Sequence, residues 1–464
     1  MQSVSTTYNY YEPEELPYAQ DNIRPYSRLA EWFVLIVWTL LCWEGVFGQY
    51  FRDALPKQEA WWMRLTPWSL YPSELGFYNP FFLLIVVFIT MRGRTVGYKT
   101  VRGIGPLLIL IAMGMWGAFH GFVAGAPGNY WLADFRQSFL MAIFVPFFAV
   151  IAPRIRVDKL MERFYKIGIV ATVYCGIAGM LVFAGIWNEF DRQVPYWHGS
   201  FVLILMYILA LTRIIVTGKN TFSSMLLVLA LAFGILAPLH KPATVGFVIA
   251  NMMILVIVFL KRKTLGTGAM GRSFIVFVIM CIFAVGLLSY VFTIGGGTAV
   301  EWVQRKFFKM HVAGGGDITG GRLEFWGWGL AQWKMHPFFG TGYGFWVITS
   351  TGEGITRYLP IHNTIIETLY QMGLIGFIVI GWTVLFCVVR MFRFIKTCKD
   401  PDDWPLIGMF IWVVTMLVAS CYGKNLGLTS VGFVFWICVA FLSNAEAQHF
   451  MAINYENTDA QYQR

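Results

Sequence analysis

The sequence predicts an all-α integral membrane protein of about twelve transmembrane helices, with a long helical loop between the ninth and the tenth. Three observations carry that prediction. The 464 residues are 57% hydrophobic and only 13% charged, whereas a soluble domain carries about a quarter charged residues. The mean hydropathy is +0.61, and a chain this long and this apolar belongs in a bilayer and not around one large soluble core. The apolar residues fall in runs close to the ~20 needed to cross the hydrocarbon, and basic residues recur in alternate connections between them.

Taken in order, a polar tail over 1–30 precedes the first run. It holds Glu and Pro without a basic start or an apolar core, so it does not read as a cleavable signal peptide, and the first run is expected to be an uncleaved anchor. Nine spans are expected over 31–293, near 32–48, 76–91, 104–123, 137–152, 166–187, 199–217, 222–238, 243–260 and 272–293. A polar loop occupies 294–363, three more spans lie over 364–444, near 373–392, 405–422 and 428–444, and a tail closes the chain over 445–464. Basic residues follow every second span: Arg92 and Arg94, Arg154 and Arg156, Arg213 and Lys219, Lys261 to Lys263, Arg390 and Arg393. Cytoplasmic loops are enriched in Lys and Arg, so these connections and both termini are expected inside. The net charge of +10 is then a topology signal spread over loops, not the clustered patch that nucleic acid requires. Seven cysteines lie in or beside apolar runs with no CxxC spacing, which points to neither a disulfide framework nor a zinc site.

The outer connections include one with Trp61, Trp62, Trp68 and Tyr71, as an interfacial aromatic belt would. The longest is the polar loop. Residues 299–310 and 322–335 read as helices. In the second, Leu323, Trp326, Leu330 and Trp333 recur on one face, to pack on the bundle or lie on the membrane surface. Gly340, Gly342 and Gly344 mark a tight turn without the βαβ context of a dinucleotide fingerprint. Pro337 ends the preceding helix, and His336 reads as structural. A third helix is expected to start at Asn363, a good N-cap residue.

The loop gathers the chemistry. His362 precedes that third helix; the partial positive charge of a helix N-terminus disfavours imidazolium and attracts anions. A neutral imidazole there can take a proton from an alcohol beside a bound phosphate; the plainer reading is a histidine that caps or packs. Arg322 opens its helix after two glycines, where a guanidinium can fork onto phosphate oxygens, or else reach lipid headgroups. Lys241, in His240-Lys241-Pro242 between two apolar spans, is costly there unless it faces a wet cavity or a partner; it supplies a second phosphate charge or snorkels at a turn. His240, Asn363, Glu367, Lys424 and Arg136 are possible substrate contacts. For Glu367, Lys424, Arg136 and the nearby Asp134 the plainer expectation is solvated surface. Asp400-Pro401-Asp402-Asp403 has an Asp-x-Asp spacing but sits on the inner side before a span, where helix caps are common, so no metal site is expected. A G-x-S-x-G elbow and a P-loop are both absent from the sequence.

Gly321-Arg322, the Trp-rich helix, His336-Pro337-Phe338-Phe339-Gly340-Thr341-Gly342, and His362-Asn363 leading to Gly373-Leu374-Ile375-Gly376 together resemble the O-antigen ligase and polymerase superfamily. The resemblance covers the long loop and the spans beside it, about a quarter of the chain. It implies a GT-C-like glycosyltransferase of the bacterial inner membrane, multi-pass, with both termini cytoplasmic and its active site facing the periplasm. It implies a metal-independent reaction with no cofactor. An undecaprenyl-pyrophosphate-linked glycan is the donor and a hydroxyl of another glycan or of the lipid A core is the acceptor; membrane lipids are neighbours and nucleic acid is not a partner. On this resemblance His362 matches the histidine that activates the acceptor, and Arg322 the arginine that grips the pyrophosphate. Relatives often carry Ser-Arg where this chain has His240-Lys241, so Lys241 stands in for a second arginine, with a point charge in place of a fork. Two other classes remain. A flippase or transporter for a lipid-linked saccharide would also fit twelve spans, although transporter sites lie near the midplane and the polar cluster here is in a loop. A structural subunit of an envelope complex would tolerate alanine at Arg322 and His362.

Overall fold

The computed structural model describes residues 31, 32, 35, 105–128, 130, 131, 134, 135, 157, 159–166, 169, 170, 173, 177, 200–218, 221–236, 241–293, 322–345, 347–350, 356–359, 361, 363–399, 401–421, 432, 434–446 and 449. In chain order these form α1 (Gly105–Val123), α2 (Ser200–Thr217), α3 (Thr221–Leu236), α4 (Lys241–Leu260), α5 (Arg262–Thr293) and α6 (Arg322–Met335). A hairpin of β1 (Val347–Ser350) and β2 (Thr356–Leu359) follows, then α7 (Thr364–Thr397) and α8 (Trp404–Ser420), the last entered through a 3₁₀ turn at Pro401–Asp403. The described chain is predominantly helical. The hairpin departs from the all-α expectation: Val347 pairs with Leu359 and Ser350 with Thr356 in antiparallel register. The β-branched residues Val347, Ile348, Thr349 and Thr356 favour extended backbone over helix at this point in the loop.

Helix α2 is the axis of the larger packed unit. Every residue from Phe201 to Leu211 is buried, among them Phe201, Tyr207 and Leu209, as expected of a helix that is apolar all round. It packs against α3, α4 and α8. Trp412 of α8 fills the contact and donates its indole N–H to the Phe201 carbonyl at 3.0 Å. Inside the unit the Tyr207 hydroxyl donates to Asn251 Oδ1 at 2.6 Å, a pairing that a dry interior favours. Arg272 of α5 donates to the carbonyls of Ile215 at 2.7 Å and Val216 at 3.3 Å, so it satisfies and electrostatically complements the C-terminus of α2.

Among the described residues, three stretches are long and apolar enough to cross a membrane: Ala243–Leu260, Thr364–Thr397 and Pro401–Ser420. The outward faces of α4 and α7 are apolar where they leave the packed unit, with Met252 at 65% and Trp382 at 71% exposure. Rows of exposed Val, Leu, Phe and Trp of this kind belong against lipid and not against water. Helices α1 to α4 and α8 fall where the hydropathy places them. Helix α5 starts ten residues earlier than expected, because the basic stretch from Arg262 is itself helical and bends at Gly266. The expected spans near 32–48, 76–91, 137–152 and 166–187 lie wholly or largely outside the described residues.

The end of α4 holds a buried cation. The Lys261 ammonium donates to the Ile395 carbonyl at 2.7 Å and to the Cys398 carbonyl. It thereby ties the C-terminal turn of α7 to the α4–α5 junction and satisfies carbonyls that the ending helix leaves without a donor. Burial pushes its pKa below the ordinary lysine value, against the opposing effect of Cys398 and Asp403.

Candidate functional site

Helix α7 is two helical segments joined by one break. Gly373 has φ 65°, a left-handed conformation that glycine adopts without the steric cost a Cβ brings. A break in a helix strands carbonyls on one side and N–H groups on the other. The glycine turn after α6 supplies both partners. Thr341 N–H donates to the Tyr370 carbonyl at 2.8 Å and Gly342 N–H to the Gln371 carbonyl at 2.9 Å. In the other direction Leu374 N–H donates to the Pro337 carbonyl at 2.8 Å and Ile375 N–H to the Phe338 carbonyl at 3.2 Å. The expected tight turn is present, with φ of 71°, 81° and 90° at Gly340, Gly342 and Gly344, and it caps the interrupted helix from both sides.

The turn is also pressed against α1. Tyr343 N–H donates to the Gly117 carbonyl at 3.0 Å. A Cβ on Gly342 would collide with the backbone of Gly121, and one on Gly121 with the backbone of Tyr343. Two glycines thus let two backbones touch. Beside this contact the Trp116 and His120 rings stack 6.1 Å apart, and His120 Nδ1 is buried with no hydrogen-bond partner among the described residues.

The N-terminal segment of α7 begins as predicted at Asn363, whose side-chain oxygen accepts from Ile365 N–H at 3.0 Å and Ile366 N–H at 3.1 Å. Its flank is set by α6. Ile361 and Tyr370 are fully buried and pack with Phe325, Trp326, Trp328 and Trp333. The crossing is closest at Gly329, where a Cβ would lie 2.6 Å from Ile361 Cδ1 and 2.9 Å from Ile366 Cγ2. The packed face of α6 is therefore the buried Gly329 with the half-buried Phe325, Trp326, Trp328 and Trp333. Leu323 and Leu330, expected on that face, are 56% and 38% exposed. Arg322 starts α6 seven residues before the crossing, roughly 10 Å along the helix at 1.5 Å per residue.

A polar cluster lies under the turn. Asp134 is only 4% exposed, which overturns its expected place on the solvated surface. Its Oδ2 accepts from Gly344 N–H at 3.0 Å and from Gln371 Nε2 at 3.0 Å. Gln371 Nε2 also donates to the Tyr370 hydroxyl at 3.2 Å, and that hydroxyl donates to the Phe345 carbonyl at 2.9 Å. Glu367 is likewise buried, at 6%, so its plain surface reading is corrected too. It lies one turn into α7, and its N–H donates to the Asn363 carbonyl at 2.9 Å. Sequence reasoning passed over Gln371 and Tyr370. The available signal was weak, a single amide and a single phenol on the face of an otherwise apolar helix.

Of the expected site residues, Asn363 and Glu367 come together on the buried side of the first segment of α7. Arg322 and Lys241 are the first residues of α6 and α4, and their side chains lie outside the described residues. His362, His240, Lys424 and Arg136 lie outside them as well. Asp403 takes the N-cap position of α8 as a buried residue, and among the described residues no three His, Cys, Asp or Glu side chains gather as metal ligands would.

A helical membrane protein results. Its polar residues cluster at a broken helix whose N-terminal segment is strapped by a glycine turn. Residues 226–381, which run from within α3 to beyond the break in α7, match the family described as O-antigen ligase, so the resemblance to the O-antigen ligase and polymerase superfamily holds over that stretch. No curated protein matches the chain significantly.

Proposed function

We propose that this protein is a membrane glycosyltransferase that moves a glycan from a polyprenyl pyrophosphate, undecaprenyl pyrophosphate in a bacterium, to an acceptor hydroxyl. The observation that carries the reading is the isolated helical segment Asn363–Met372, capped at one end by Asn363 and at the other by the glycine turn, within the stretch that matches the ligase family. The start of this segment carries the partial positive charge of a helix N-terminus, and anions are favoured before it. His362 immediately precedes it in the chain.

In this reading the acceptor oxygen attacks the anomeric carbon, the bond from that carbon to the pyrophosphate oxygen breaks, and the lipid pyrophosphate departs with the electron pair. His362 takes the hydroxyl proton, an assistance worth roughly 10²–10⁴-fold. Arg322 and Lys241 neutralise the departing pyrophosphate, with Asn363, Glu367, His240, Lys424 and Arg136 as further substrate contacts. A single displacement inverts the anomeric centre, and no metal or cofactor takes part. The layout that goes with it has about twelve spans in the inner membrane, both termini in the cytoplasm, and residues 294–363 as a catalytic loop facing the periplasm.

The test is release of undecaprenyl pyrophosphate from an undecaprenyl-pyrophosphate-linked glycan by detergent-solubilised protein, with chelator and a mixture of lipid A core and lipid-linked glycan acceptors. Release that disappears in His362→Ala supports the transferase; a ladder of repeats marks a polymerase and single transfer to lipid A core a ligase. Release by wild type that persists in His362→Ala, Arg322→Ala and Lys241→Ala removes the site assignment. No release with any acceptor leaves a lipid-linked saccharide flippase as the better reading, because a transporter acts only between two compartments.

A further inference from the structure

We propose that Asp134 and Gln371 are positioning residues for the transfer reaction: their hydrogen bond sets the angle at which the segment Asn363–Met372 presents its N-terminus to the substrate. The inference rests on the transferase reading above.

The segment is joined to the rest of α7 only through the left-handed Gly373. A helix continued without a break would hold its own N-terminus in place through its i to i−4 bonds. Here that ladder is interrupted, so the direction of the segment depends on its packing against α6 and on what grips its C-terminal end. Tyr370 and Gln371 are both gripped there, and Gln371 carries the side-chain link to Asp134. The Gln371 carbonyl receives Gly342 N–H at 2.9 Å, and its side-chain amide donates to Asp134 Oδ2 at 3.0 Å. Asp134 in turn takes Gly344 N–H at 3.0 Å, so one carboxylate oxygen joins the glycine turn to the helical segment. Both side chains are buried, Asp134 at 4% and Gln371 at 5%. Hydrogen bonds that a carboxylate accepts in such surroundings are stronger than neutral ones and weakly screened.

Gln371 lies eight residues along the helix from Asn363, a lever of roughly 12 Å. A small rotation at the gripped end therefore becomes a shift of ångström size at the N-terminus. Misplacement of a reacting group by about 1 Å costs around 100-fold in rate. Neither side chain need touch substrate. The effect belongs in kcat and not in donor affinity, because the charges that bind pyrophosphate are carried by other residues.

The test uses purified full-length protein and release of undecaprenyl pyrophosphate from the linked glycan, with the acceptor that wild type uses. Gln371→Glu sets two carboxylates against each other. Asp134→Asn with Gln371→Glu restores an amide–carboxylate pair with its direction reversed, and the Asn oxygen can still accept Gly344 N–H. The expected result is a kcat about tenfold to 100-fold lower in Gln371→Glu with an unchanged KM for donor, and recovery to within about threefold of wild type in the double variant. A bond that served stability alone would lower the amount of folded protein and leave kcat per folded molecule intact. Wild-type kcat in Gln371→Glu, or a double variant no better than the single, overturns the positioning role while His362→Ala remains inactive and the transferase reading stands. If Gln371→Glu does not extract as a monodisperse species, Gln371→Met decides, since it removes the donor without adding charge; an unchanged kcat there is equally fatal. Absence of release by wild type itself overturns the transferase reading, and this inference with it.

Discussion

Asp134 Oδ2 and the backbone N–H of Gly344 meet at 3.0 Å across 210 residues of chain. The bond closes a loop of contacts in which the glycine turn touches α1 at Gly117, the segment after α1 at Asp134, and both halves of α7. The break at Gly373 is thus a built feature, with its exposed backbone groups satisfied by one turn of nine residues between His336 and Gly344.

Gly373→Ala tests that conclusion. A Cβ at φ 65° is strained and would collide with the Phe338 carbonyl, so thermal unfolding should fall by an amount corresponding to about 1–3 kcal/mol, with turnover lost alongside. Gly381→Ala in the same helix meets nothing within 4 Å and should unfold at or slightly above the wild-type temperature. Equal effects of the two changes would mean that the break is not a defined structural element.

Asn363 separates capping from charge. Asn363→Ala removes the acceptor for Ile365 and Ile366 N–H and should cost about 0.5–2 kcal/mol. Asn363→Asp keeps the cap and should keep the stability, yet it sets a negative charge where the donor pyrophosphate is proposed to bind. Its KM for donor should rise several-fold while the unfolding temperature holds, as read from donor titrations beside thermal melts.

The two proposed phosphate cations should respond differently to exchange. Arg322→Lys keeps the charge and loses the fork, and is expected to lower kcat/KM by about tenfold or more. Lys241→Arg adds a fork where this chain uses a point charge, and should retain activity that Lys241→Ala loses. Initial rates over a donor series check both, and indifference to all three exchanges would remove pyrophosphate binding from these positions.

Lys261 gives a pH prediction at the other end of α7. Burial holds its folded pKa below the ordinary lysine value. Between those two values the unfolded chain binds more protons than the folded one, so this residue's contribution to stability rises with pH through that window. Comparison of wild type with Lys261→Met isolates the effect: the difference in unfolding free energy between them should move in favour of wild type as pH increases. A difference that is flat with pH would show that the ammonium is as well solvated in the folded protein as in the unfolded.

Much of this molecule was legible from its residues one stretch at a time. The boundaries of α1, α2, α3, α4, α6 and α8, the cap at Asn363 and the turn at Gly340–Gly344 all follow from apolar run length, a side-chain acceptor at a helix start, and glycine in left-handed backbone. These signals act over a few residues, so the sequence alone determines them. The hairpin at Val347–Leu359, the burial of Asp134 and Glu367, and the direction of the first segment of α7 were decided only by tertiary structure. A carboxylate reads the same in a solvated loop and under a glycine turn. What distinguishes the two is the donor that arrives from 237 residues away in Gln371, and a partner at that separation leaves no periodicity behind it.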